Sequence, residues 1–67
     1  MLENWIAKAV GLMHINNIDQ SKLATHIGIR RDYLNKILNG KISPNGSEER
    51  IMTAIEELIL KENSHTL

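Results

Sequence analysis

The tightest constraint in this sequence lies between Gln20 and Ile37. With Gln20 as the first position of a twenty-residue window, Leu23 is fourth, Ala24 fifth, Ile27 eighth, Gly28 ninth, Ile29 tenth, Leu34 fifteenth and Ile37 eighteenth. Leu23, Ala24 and Ile27 share one face of a helix, and Leu34 and Ile37 share one face of a second. Gly28 stands between them, where a chain leaving one helix needs a left-handed residue to turn sharply into the next. Alanine at the fifth position lets the two helices cross closely. The aliphatic positions then lock the pair onto the rest of the core.

The remaining segments read as helices around this pair, with no strand. Leu2 to Ile15 carries two apolar stripes at helical spacing, Trp5, Ala9, Leu12 and Ile6, Val10, Met13. The run Asn16-Asn17-Ile18-Asp19 breaks that pattern, and Asp19 is a suitable N-cap for a helix from Gln20 to about Ile27. A third helix is expected over about Arg31 to Leu38, with Leu34 and Ile37 inward and Asn39-Gly40 ending it. Lys41 to Gly46 reads as a turn or short loop. Ser47 is placed to cap a last helix from Glu48 to about Glu62, its apolar face formed by Ile51, Ala54, Ile55, Leu58 and Ile59. Glu48 and Glu49 fall in its first turn, where the helix dipole favours negative charge. The expected organisation is one all-α domain over residues 1–62, its motif at about 20–39, followed by a frayed tail over 63–67.

Composition removes several classes of function. The 67 residues hold no cysteine, which excludes a disulfide framework and thiol chemistry. The first residues lack a basic leader, and Glu3, Asn4 and Lys8 interrupt their apolar run, so no signal peptide is expected. No stretch approaches the length of a membrane span, and the simplest compartment is the cytoplasm. His14, His26 and His65 show no metal-ligand spacing, and no cofactor is implied. No Ser-His-Asp or paired-carboxylate arrangement is recognisable, and so small a chain leaves little room for a pocket, which argues against an enzyme. Trp5, on an apolar stripe, is expected in the core.

The net charge of zero conceals a separation of sign. Between Gln20 and Lys41, Lys22, Arg30, Arg31, Lys36 and Lys41 stand against the single carboxylate of Asp32, giving +4. From Ile42 onward, Arg50 and Lys61 stand against Glu48, Glu49, Glu56, Glu57 and Glu62, giving −3. A basic middle and an acidic end make a two-faced molecule. The basic part coincides with the two-helix window, as in proteins that bind nucleic acid.

The window has the helix-turn-helix pattern, and the stretch DQSKLATHIGIRRDYLNKILNGK resembles the helix-turn-helix domain of Cro/cI-type, XRE-like regulators, familiar from phage repressors. The likeness is close over about Ile18 to Lys41 and looser outside it. It implies a small lambda-repressor-like all-α domain that binds double-stranded DNA, its second motif helix in the major groove and its first crossing the phosphate backbone. Carried over by position, the resemblance puts base contacts at Arg31, Asp32 and Lys36, with Asn35 a weaker candidate for base or phosphate. It puts backbone contacts at Gln20, at Tyr33 through its hydroxyl, and at Asn39, Gly40 and Lys41, where backbone amides and a cation would meet a phosphate. Lys22 and Arg30 are better suited to neutralising phosphates than to reading sequence. The side-chain chemistry agrees: Arg pairs with guanine O6 and N7, and Asp accepts from cytosine N4. An aspartate beside Arg31 and Lys36 is also suited to orienting either of them.

Two features depart from the family. Arg30 stands where a Ser or Thr N-cap is common and cannot make the same bond. The sequence shows four helices where the family commonly has five. An apolar surplus remains, in the doubled stripe of the first helix and in Leu58, Ile59 and Leu60 near the end of the last. A homodimer through Leu58, Ile59 and Leu60 is therefore expected, and it suits an inverted-repeat operator. The alternative reading is a protein-interaction module on the same fold, such as an antirepressor or an inhibitor of a host protein, with little specific DNA binding.

Overall fold

The computed structural model describes residues 4–63. They form four helices: α1 (Asn4–Ile15), α2 (Gln20–Ile27), α3 (Arg31–Leu38) and α4 (Ser47–Asn63). Leu2, expected at the start of the first helix, and residues 64–67 of the expected tail lie outside the described residues. Asn63, also assigned to the tail, is instead the last residue of α4.

Each helix boundary has a local cause. Asp19 is extended, and its carboxylate accepts the backbone N–H of Lys22 at 2.7 Å, capping α2 as expected. Gly28 ends α2 with φ of 92°, and its N–H and that of Ile29 both donate to the Ala24 carbonyl. Arg30 precedes α3 with an extended backbone and no side-chain cap. At the far end of α3 the N–H of Gly40 donates to Ile37 O at 3.0 Å and that of Lys41 to Lys36 O at 2.9 Å, around a Gly40 φ of 74°. This is the Schellman arrangement, in which a left-handed residue lets the chain satisfy the last carbonyls.

The same device closes α1 without a glycine. Asn17 takes φ of 56°, its N–H donates to His14 O, and the Ile18 N–H donates to Met13 O at 2.8 Å. Asparagine tolerates the left-handed region better than other non-glycine residues. Ile18 then folds back beside Met13, and both side chains are buried. The segment that breaks the helical pattern thus contributes to the core.

Ser47 does not cap α4 as expected. It is the first residue of that helix, and its hydroxyl donates to the Pro44 carbonyl at 2.7 Å. Gly46, with φ of 80°, precedes it, and the Gly46 carbonyl accepts the Arg50 N–H. The capping position is therefore one residue earlier.

The core joins Ile6, Ala9 and Met13 of α1, Leu23 and Ala24 of α2, Leu34, Ile37 and Leu38 of α3, and Ile51, Ala54, Ile55 and Leu58 of α4, with Ile18 from the turn before α2. The inward face of α1 is drawn from both expected stripes. Trp5 and Leu12 are only half-buried, and Val10 is exposed. Leu38, not expected inward, is buried alongside Leu34 and Ile37. α4 packs on both α1 and α2, while α3 packs chiefly on α2. α3 therefore stands at the side of the molecule, with its polar face open to solvent. No described helix is long and apolar enough to cross a membrane.

A Cβ added at Gly28 would meet nothing within 4 Å, so replacement there tests the backbone alone. Gly28→Ala is expected to destabilise the fold by about 1–2 kcal/mol, the cost of a left-handed L-residue. Gly28→Asn should lose less. Urea unfolding of the three proteins checks this, and equal stabilities would contradict the turn geometry.

Candidate nucleic-acid interface

Leu34, Ile37 and Leu38 turn one side of α3 into the core. By helical geometry Asp32 and Lys36 then point directly away from it, one turn apart. Arg31 and Asn35 lie on the flank that faces the start of α2, where Asn35 Nδ2 donates to Gln20 Oε1 at 3.0 Å. Tyr33 lies on the opposite flank, 42% exposed, beside Pro44, Asn45 and Gly46 of the following loop. The sequence-predicted residues Arg31, Asp32, Tyr33, Asn35 and Lys36 are thus brought together on one exposed helix face, with Gln20 at its edge.

The cations of this face are available. Among the described residues, Arg30, Arg31, Lys36 and Lys41 are exposed and form no ion pair. Asp32 pairs with neither Arg31 nor Lys36, so orienting them is not its part in this structure.

Lys22 belongs elsewhere. Its ammonium meets Glu62 Oε1 of α4 at 2.6 Å, both side chains about half exposed, on the side of α2 that packs against α4. One turn along, His26 Nε2 lies 2.8 Å from Glu57 Oε1. Exposed pairs of this kind contribute little to stability, about 0–1 kcal/mol. Their consequence is directional. In this structure the Lys22 ammonium is turned toward α4 and not toward α3, apart from the other residues expected at phosphates, and two of the α4 carboxylates lie against α2.

Asn39, Gly40 and Lys41 need a correction. Their backbone N–H groups donate to Asn35, Ile37 and Lys36 carbonyls, respectively, and close the end of α3. None is free to meet a phosphate, and Gly40 has no other donor. What remains is the Lys41 ammonium. The Asn39 side chain is also engaged, its Nδ2 donating to Asn35 O at 2.9 Å and Asn35 Oδ1 at 2.6 Å. The one-turn spacing of Asn35 and Asn39 was open to reading as a contact pair. The contact of Asn35 with Gln20, fifteen residues away, depends on how the helices cross.

Leu58, expected at a dimer interface, is in the core of its own chain at 4% exposure. Ile59 is half-buried against that core, and Leu60 is 67% exposed. The helical period explains the difference: Leu58 follows Ile51, Ala54 and Ile55 on the inward face, and Leu60 points opposite. No group of His, Asp or Glu side chains among the described residues is arranged to hold a metal ion.

The model of the family described as Helix-turn-helix matches residues 16–48, about half of the chain. The match begins in the turn after α1, spans all of α2 and α3 and the start of α4, and so contains the whole exposed basic face. No curated protein and no solved structure matches the chain significantly. With α2 and α3 joined at Gly28 and packed as the pattern requires, the chain belongs to the Cro/cI-type helix-turn-helix regulators, a family of DNA-binding proteins.

Proposed function

We propose that this chain is a sequence-specific, Cro-like repressor that reads an inverted-repeat operator through the major groove. The observation that carries the reading is the polar face of α3. Its cations have no partners among the described residues, while Glu57 and Glu62 are held on the other side of α2. In this mode α3 enters the groove and α2 crosses the backbone. Arg31 makes a bidentate pair with guanine O6 and N7, Asp32 accepts from cytosine N4, and Lys36 reaches a neighbouring base edge. Arg30, Lys41, the Tyr33 hydroxyl and the Gln20 amide bind phosphates and set the register.

The operator reading requires two copies of α3 about one helical turn apart, roughly 34 Å. A homodimer through the outer face of α4 provides them, and exposed Leu60 beside half-buried Ile59 supports that surface. Repression follows from promoter occlusion.

Selection from a random duplex pool at near-physiological salt tests the function. An enriched inverted repeat is the expected result. Weak binding that vanishes as salt rises, with no enrichment, would leave charge alone and favour a protein partner instead. On the selected operator, Arg31→Ala should relax preference at one base pair by about 1–3 kcal/mol. Lys41→Ala should weaken all sequences alike and lower the salt slope by about 1. Equal, sequence-independent losses for both would remove Arg31 from base reading. Sedimentation at micromolar concentration is expected to show a dimer that Leu60→Glu dissociates; a strict monomer would sink the α4 interface.

A further inference from the structure

The three amides of Gln20, Asn35 and Asn39 are joined in one direction. Asn39 Nδ2 donates to Asn35 Oδ1 at 2.6 Å, and Asn35 Nδ2 donates to Gln20 Oε1 at 3.0 Å. A primary amide has two N–H donors and a carbonyl with two lone pairs. Once Gln20 accepts through Oε1, its Nε2 must point the other way, and that nitrogen has no partner among the described residues. At the opposite end Asn39 is fixed by a second bond, from Nδ2 to the Asn35 backbone carbonyl at 2.9 Å. The chain therefore starts on a backbone atom of α3 and ends in two free donors at the first residue of α2.

Asn35 is in the middle of this chain, which bears on what it does. An asparagine that reads adenine presents Oδ1 and Nδ2 together to one base edge. Here Nδ2 is turned toward α2 and Oδ1 toward the next turn of α3, so the amide lies along the protein surface. We infer that Asn39 and Asn35 are positioning residues, which hold the Gln20 amide with its nitrogen toward a DNA phosphate, and that Asn35 reads no base. The inference rests on the DNA-binding reading above and adds to it a coupling between α3 and a backbone contact made from α2. Exposed amide bonds contribute little to folding. What this chain supplies is orientation: a Gln20 amide turned over would present its carbonyl oxygen to the phosphate and be repelled.

A double-mutant cycle on the selected operator tests this, with Gln20→Ala, Asn35→Ala, the double variant and Asn39→Ala. Asn35 and Asn39 are exposed, and neither has a positive φ, so alanine is tolerated at both. Gln20→Ala should weaken binding about tenfold, as for one hydrogen bond to a charged group. Asn35→Ala should weaken it about threefold, for every sequence alike and with base preference unchanged. The double variant should bind no more weakly than Gln20→Ala alone. In the free proteins, the NMR signals of the Gln20 side-chain amide should shift in both Asn35→Ala and Asn39→Ala.

Multiplying losses, a changed preference at one base pair for Asn35→Ala, or no loss at all would overturn the positioning role and leave the DNA reader standing. Gln20 amide signals unmoved by both substitutions would overturn the chain itself, whatever the DNA result. A wild-type protein that selects no duplex would instead remove the functional reading, and the phosphate role of Gln20 with it.

Discussion

The close crossing of α2 and α3 is the constraint on which the rest of the structure depends. It requires a small side chain at Ala24 and a left-handed residue at Gly28, and both are met: Ala24 is buried, and Gly28 has φ of 92°. With the crossing fixed, Leu23, Leu34 and Ile37 form one apolar surface, and α4 can cover it with Ile51, Ile55 and Leu58. The same crossing brings Asn35 within hydrogen-bond reach of Gln20. The geometry that builds the core thus also assembles the polar face, and disturbance of the turn would reach both.

Much of this was legible in the sequence because it is local. The α2 and α3 boundaries, the Asp19 cap and the Gly28 stop depend on residues within a few positions of one another, where capping and turn chemistry act. The misreadings are where a choice among similar residues is settled by packing. Two stripes on α1 were available, and contact with α4 selected Ile6, Ala9 and Met13 across both. Ile18 lies in a polar break, yet the left-handed Asn17 returns it to the core. Ser47 has the right chemistry for a cap but stands one residue inside the helix that Gly46 opens.

The exposed site follows the same division. The period of α3 alone puts Asp32 and Lys36 opposite Leu34, Ile37 and Leu38. It does not tell which residues of α2 look toward α3 and which toward α4. Gln20 and Lys22 are two residues apart and point different ways, one to Asn35 and the other to Glu62. Positive charge in the sequence was therefore an incomplete guide to the surface that carries it. Backbone donors were the other obstacle: the N–H groups after α3 are consumed in ending the helix, which depends on the conformation of Gly40.

These two facts together bear on how a neutral protein can bind a polyanion. Net charge acts at long range and over the whole surface, where salt screens it within about 10 Å. Contact with a duplex depends on the charges that face it. Here Glu57 and Glu62 are held beyond α2 by His26 and Lys22, which are thereby withdrawn from α3 themselves. In the complex proposed here the residues left to face DNA are few: Arg30, Arg31, Lys36 and Lys41, with the Gln20 amide at the edge. With no spare backbone N–H at the end of α3, each phosphate contact there has to come from a side chain. On that reading, a small set of cations would make the sequence-independent part of binding weak, and discrimination would fall to base-edge contacts and to whatever fixes the helix in register. A directed neutral amide suits that second requirement, since it adds geometric demand without adding to the general attraction for phosphate.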